Sequence, residues 1–427
     1  MHTSDPAPVP ADVILSYINP GTNVIVATAN GEPVTVLDAI EAGADGLERV
    51  RVHQVFALRD RPHHAGAFGD RLRHVSYFLS ASLREHWARD TIDLVPNDLS
   101  QVAGMLRKLP DPKVLIASAS PPDKHGFFSL GTGANYTATL MGEVPIFIEA
   151  NAQMPRTSGR NQLHISQVLG WCEADYPLIA TEPPTITDTD RAIAVHVAER
   201  VPNGATLQIG VGSVPDAVAE LLVDHRGLGV HTELFGDGLR MLIESGAATG
   251  ARKTQQRFQA ICGDALGSPE LYEFLDDNHH VQFWPIAETN DSNVIERLDD
   301  FVAINATMQV DLLGQCGSES LGTHYVSSTG GQADFMRGAM LSHGGQSFIV
   351  THSTAVGGTV SRIVPTLTPG AVVTTHKNIV DKVATEHGIA ELRGHTIAER
   401  ASALIAIADP AFRDELTHQA RDLGYIP

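Results

Sequence analysis

At 427 residues the chain is longer than one ordinary core can fill, and at roughly 100 to 200 residues per domain it predicts two or three domains. A hydrophobic content of 43%, 19% charged residues and 38 glycines fit a globular protein with many tight turns. The 30 Lys plus Arg against 50 Asp plus Glu leave a net charge of −20 with no basic run, which argues against nucleic acid or an anionic membrane as partner.

Cys172, Cys262 and Cys316 lie far apart and are odd in number, so neither a disulfide framework nor a zinc knuckle is expected. The N-terminal stretch "MHTSDPAPVPADV" has no basic region leading into an apolar one, and no segment of about 18 apolar residues follows anywhere. A cytoplasmic location is the expectation. Among the 20 histidines, His63-His64 and His279-His280 are adjacent pairs. Adjacent side chains diverge on a helix or strand, and no HExxH or HxH spacing occurs, so no metal site is expected.

In chain order, β-branched runs at 23–29, 114–120, 144–150, 205–212 and 300–314 alternate with amphipathic stretches, the habit of α/β domains with mainly parallel sheets. In the last run Val302, Ile304, Ala306, Met308, Val310 and Leu312 alternate, predicting one long strand with Asn305 and Asp311 on its other face. Pro183-Pro184 in "YPLIATEPPTITDTD" marks a linker, placing one domain at 1–185 and the second at 186–427. A helix is expected from Thr189, with Ile193, Val197 and Val201 on one face, and a C-terminal helix interrupted at Pro410.

Three glycine bends follow. In "LQIGVGSVPDAVAELL" (207–222) a strand runs through Gly210-x-Gly212 into a helix, with Ser213 and Asp216 spaced as a capping box and Pro215 in the first turn. An exposed helix start of this kind suits an anion or a developing oxyanion. The same glycines, with Glu233 as a ribose-binding acid, would suit a dinucleotide site, but Pro215 holds the third glycine position. In "GVHTELFGDGLR" (229–240) Glu233 stands between a strand and Gly236-Asp237-Gly238, either as an acid near the next helix cap or as a rigidly held reactive carboxylate. In "SSTGGQADFMRGAM" (327–340) Gly330-Gly331 precede a helix and offer backbone N–H groups. Tyr136 and Arg156 stand in further glycine-containing loops of the first half.

These stretches, with "PPDKHGFFSLG", "NAQMPRTSG", "INATMQVDLLGQ", "SRIVPTLTPG" and "LIAIADPAFR", resemble in content and order the acetyl-CoA hydrolase/transferase family of class I CoA-transferases over nearly the whole chain. The resemblance implies two similar open α/β domains, the catalytic glutamate lying on the C-terminal one. It assigns Glu233 as the nucleophile of a ping-pong CoA transfer from an acyl-CoA to a small carboxylic acid, through acyl-glutamyl anhydride and glutamyl-CoA thioester intermediates. The alternatives are an acyl-CoA hydrolase on the same scaffold, an NAD-binding oxidoreductase and a non-catalytic acyl-CoA sensor. Gly210, Val211, Gly212, Ser213 and Val214, with Ile304 and Gly330, match the CoA-contacting positions. The N–H groups of Gly330 and Gly331 are the candidate oxyanion hole.

Coenzyme A enters as substrate, with no tightly bound cofactor, and a homodimer or larger homo-oligomer is expected. Arg362 and Arg337 are candidate cations for the CoA phosphates. The chain departs from the family pattern at Val356, where a lysine is usual, at His387, where a tyrosine is usual, and at Gly236, which replaces a hydroxyl residue. Gly236 and Gly238 are read as space for substrate.

Overall fold

The computed structural model describes residues 6–427; residues 1–5, the start of the stretch read above as having no leader, lie outside the described residues. The chain forms two compact units. One comprises the residues up to Glu182 together with Ile261–Thr289, the other Pro183–Ala260 together with Asn290–Pro427. The chain leaves the first unit at the exposed Pro183-Pro184 pair, but a single cut at 185 does not describe its path, because 261–289 returns to that unit.

In the first unit β1 (Asn23–Val26), β2 (Val50–Gln54), β3 (Leu72–Ser76), β4 (Ile92–Leu94), β5 (Lys113–Ala119), β6 (Ile146–Asn151) and β7 (Gly170–Ala174) form one sheet, ordered β7-β6-β5-β1-β2-β3-β4. Every pairing is parallel. Val24, Ile25 and Val26 of β1 are all buried, as expected of a strand covered on both faces. The helices of this unit used below are α1 (Val34–Ala42) and α2 (Arg84–Ala88).

The sheet of the second unit contains β8 (Thr206–Ile209), β9 (Gly229–Phe235), β10 (Phe301–Ala306), β11 (Gln346–Val350), β12 (Lys382–Thr385) and β13 (Gly388–Glu391), ordered β13-β12-β11-β10-β8-β9. Only the β12–β13 hairpin is antiparallel. The mainly parallel α/β class follows as expected, since in each unit the first strand lies inside the sheet with later strands added on both sides.

Helix α3 (Asp188–Ala198) starts where expected, with Thr187 and Asp190 forming a reciprocal capping box and Ile193 and Val197 fully buried. Further helices are α4 (Ser213–Leu221), α5 (Asp237–Glu244), α6 (Gln332–Leu341), α7 (Ile397–Ile407) and α8 (Pro410–Asp422). Pro410 opens α8 as its first residue, where the missing N–H costs no hydrogen bond. Among the described residues no helix is long and apolar enough to cross a membrane, and all three cysteines are buried and unpaired.

Two expectations fail here. The alternating run 302–312 is not one strand: β10 ends at Ala306, and Gln309–Asp311 joins a separate sheet with Ile363–Val364 and Cys316–Gly317. Asn305 and Asp311 are both buried, so period-two polarity marked no solvent face. The adjacent His63 and His64 do not diverge. They sit in a turn, where neither helical nor strand geometry separates neighbouring side chains, and their ring centroids lie 4.3 Å apart.

Candidate active site

Glu233 stands near the C-terminal end of β9, where open α/β sheets place their ligands. The strand is held from behind by the buried Lys253, whose ammonium donates to the carbonyls of Val230 (3.0 Å) and Gln259 (2.8 Å). Glu233 is not a helix cap, because the N-cap of α5 is Gly236, in extended backbone and with no side-chain cap bond. The half-buried carboxylate is instead turned to the start of α6. Asn290 Nδ2 donates to its Oε2 at 2.9 Å, and the N–H of Gly331, the N-cap of α6, donates to the same carboxylate.

Burial pushes the Glu233 carboxyl up to about 7; the Asn290 hydrogen bond works against that shift, the buried Asp334 adds to it, and the Gly331 N–H opposes it. The site thus desolvates the carboxylate while aiming two donors and a helix N-terminus at it. The missing side chain of Gly331 leaves the carboxylate its place: a Cβ there would overlap both Glu233 Oε2 and Asn290 Nδ2. Gly330 adopts φ +58, the left-handed conformation that bends the chain into α6.

The Gly210–Gly212 loop lies on the neighbouring strand end. Gly210 N–H donates to Ile304 O at 2.9 Å, and the Ile304 side chain is fully buried, so Ile304 fastens the loop to β10. Just below, Gln208 and Asn305 exchange amide hydrogen bonds of 3.3 and 2.9 Å across β8 and β10. Gly212 takes φ +127 and Val211 is exposed, leaving the start of α4 open.

The expected Ser213–Asp216 capping box does not form. Gly212 is the N-cap, Ser213 is already helical, and its hydroxyl donates 2.9 Å to Asp190 Oδ1. His352 Nε2 also reaches Asp190 Oδ1, at 2.8 Å. Burial would raise the Asp190 carboxyl, but hydrogen bonds from Thr187, His352 and Ser213 outweigh it and hold the group at about 2. Asp190 thereby ties the loop to α3 and to the end of β11.

Several residues singled out in the sequence have other tasks. Gly238 is not substrate space: a Cβ there would lie 3.0 Å from Ala219 Cβ, so its absence lets α5 pack closely on α4. Asp237 pairs with Arg240 at 3.3 Å in the first turn of α5. Tyr136 lies not in a loop but in the short helix Asn135–Leu140, fully buried with its hydroxyl donating to Val26 O of β1, and Arg156 donates to the carbonyls of Pro121 and Phe127, so both are committed to the structure of the first unit.

Among the described residues Arg337 and Arg362 form no ion pair, although Glu386 lies near enough to Arg362 to act on its charge. Val356 is 77% exposed at the tip of the Thr354–Ser361 hairpin and adopts φ +50, an unusual conformation for a β-branched residue. His387 lies 3.8 Å from both Glu386 and Asp409. Asn290 and Asp334 were missed in the sequence. Asn290 follows the short helix Ile286–Thr289 and lies 57 residues from its partner, so no local spacing marks it.

A desolvated, donor-bound carboxylate at a strand end of a mainly parallel α/β scaffold is equipped for nucleophilic or acid–base chemistry. The chain superposes on RipA from Yersinia pestis with a TM-score of 0.92 at 34% identity, covering 98% of both chains. It belongs to the acetyl-CoA hydrolase/transferase family: residues 9–188 match the N-terminal domain and residues 267–420 the C-terminal domain of that family. A succinyl-CoA:cyclohexane-1-carboxylate CoA transferase of Geobacter metallireducens is 41% identical, covering 93% of this chain and 91% of its own. A 4-hydroxybutyrate coenzyme A transferase of Clostridium kluyveri is 36% identical over 96% of each.

Proposed function

We propose that the protein moves CoA from an acyl-CoA to a small carboxylic acid through covalent intermediates on Glu233. The observation that carries the reading is the pair of donors, Asn290 Nδ2 and Gly331 N–H, converging on a carboxylate whose burial has raised its pKa to about 7. A carboxylate stripped of water is a stronger nucleophile, and fixed donors replace the solvent that it lost.

Glu233 Oε1 attacks the thioester carbonyl, the C–S bond breaks, and an acyl-glutamyl anhydride forms with release of CoA thiolate. The thiolate then adds to the glutamyl carbon and expels the donor carboxylate, leaving a glutamyl-CoA thioester. An acceptor carboxylate reverses the sequence and regenerates Glu233. In the steps at the glutamyl carbon, negative charge develops on Oε2, where Asn290 is already placed 2.9 Å away. Gly331 supplies the backbone donor of this oxyanion hole, while Gly330 shapes the bend that presents it. The loop Gly210, Val211, Gly212, Ser213 and Val214 is assigned to CoA, with Ile304 as its anchor; Arg337 and Arg362 are the candidate phosphate partners.

The ribose-acid role of Glu233 is set aside, because its carboxylate is engaged by Asn290 and Gly331. An exchange assay with acetyl-, butyryl- and succinyl-CoA against a panel of carboxylates tests the proposal. New acyl-CoA should appear only with an acceptor present. Acyl-CoA loss at the same rate without acceptor would mark hydrolysis instead and contradict transfer.

The pH dependence gives a second test. The nucleophile must be ionised, so kcat/KM for the acyl-CoA is expected to rise with pH through a midpoint of about 7. In Asn290→Ala the midpoint moves upward, because a bond that favours the ionised form is gone, and kcat falls by about 10²-fold or more. An unshifted profile in that variant would contradict the assigned role.

A further inference from the structure

The first unit buries a cluster of imidazoles that the transfer chemistry does not use. His63 and His64 come from the turn between β2 and β3, and His74 from β3 itself; all three are 0–1% exposed. The ring centroids lie 4.3 Å apart for His63 and His64, 4.4 Å for His64 and His74, and 5.4 Å for His63 and His74. Five of the six ring nitrogens are buried with no hydrogen-bond partner: His63 Nε2 and both nitrogens of His64 and His74. Buried polar atoms without partners are destabilising, and the gathering of one such donor atom from each of three rings within 4.8 Å indicates that a ligand completes the site.

The sixth nitrogen is fixed. His63 Nδ1 contacts Glu41 Oε1 of α1 at 2.6 Å, which sets the ring as an Nδ1–H tautomer and turns the Nε2 lone pair into the cluster. Glu41 is itself held by Arg61 at 3.0 Å, and Arg61 also grips Glu32 at 3.0 Å, so the carboxylate is anchored. A carboxylate behind a histidine, orienting the other nitrogen, is the usual support of a metal-bound imidazole.

We propose that His63, His64 and His74 bind a late first-row divalent cation of the zinc type. One donor atom from each lies within 4.8 Å of the others. Bonds of about 2.0–2.1 Å to a tetrahedral ion require nitrogens about 3.3 Å apart, so side-chain rotations of roughly an ångström close the triangle. An all-nitrogen donor set excludes magnesium and calcium, which take oxygen. His86 of α2 stands beside His64, ring centroids 6.0 Å apart, with Nε2 held by Asp60 at 2.8 Å and a buried, unpartnered Nδ1. It is the neighbour that a fourth bond would recruit. Enclosed in this way, the ion would tie the β2–β3 connection to β3 as a structural staple.

The test uses the full-length protein stripped with a chelator and then titrated with Co²⁺ alone. The expected result is one equivalent bound, with the intense visible bands of four-coordinate cobalt, displaced by Zn²⁺ and accompanied by a rise in melting temperature. Glu41→Gln should weaken the affinity by about 10–100-fold, and His64→Asn combined with His74→Asn should abolish the bands. Should the double variant not fold, zinc-edge X-ray absorption on the wild type decides: at least three imidazoles per ion supports the site. A wild type with only weak six-coordinate cobalt bands, or bands that persist unchanged in a folded double variant, would overturn it.

Discussion

Replacing Glu233 by Gln is expected to lower kcat for CoA transfer by at least about 10⁴-fold, because the neutral amide cannot form the anhydride on which every later step depends. Acyl-CoA binding should change little, since most of the binding energy comes from contacts remote from the reacting carbon. The same variant should be more stable than the parent at pH 8. A carboxyl whose folded-state pKa lies above its unfolded value is penalised once ionised. In the parent that penalty grows as pH rises from the ordinary 4.5 to about 7, and stays at its full value above. Gln carries no such charge, so its melting-temperature advantage should shrink as pH falls through this window and vanish below pH 4.5. A pH-independent difference would mean that the carboxylate is not desolvated.

Gly331→Ala is expected to lower kcat by about 10²–10³-fold with little change in stability. The backbone at Gly331, φ −95 and ψ 4, suits any residue, so the variant should fold. The added methyl, however, occupies the space of Glu233 Oε2 and Asn290 Nδ2, and the carboxylate must swing away from both donors. Circular dichroism melting and steady-state kinetics on one preparation check both halves. Near-parental kcat would mean that the carboxylate works in another orientation. Gly330→Ala should differ: φ +58 strains any L residue with a Cβ, and a loss of about 1 kcal/mol in stability is expected.

The glycine bends and the strand-borne acid were legible in the sequence because each is local: Gly212 and Gly330 need positive φ, and Glu233 stands in a run that reads as a strand. The landmark order then connected them to one family. What was not legible depends on distant packing. Asn290 reaches Glu233 across 57 residues, and Asp190 captures the Ser213 hydroxyl from 23 residues away, which dissolved the expected capping box.

The alternation from Val302 to Leu312 misled because a central parallel strand is buried on both faces, and its break at Thr307-Met308 leaves no mark in hydrophobicity. Gly238 looked like substrate space, but helix packing against Ala219 explains it. The divergence of adjacent side chains holds only in regular elements, and His63 and His64 stand in a turn.

Covalent attachment at Glu233 is the central claim. The direct measurement is to add acyl-CoA without acceptor, trap with borohydride or hydroxylamine, and map the modified residue by peptide mass spectrometry. Modification is expected within 229–240, at Glu233, and none in Glu233→Gln. Turnover by an enzyme whose Glu233 remains unmodified under these conditions would contradict it.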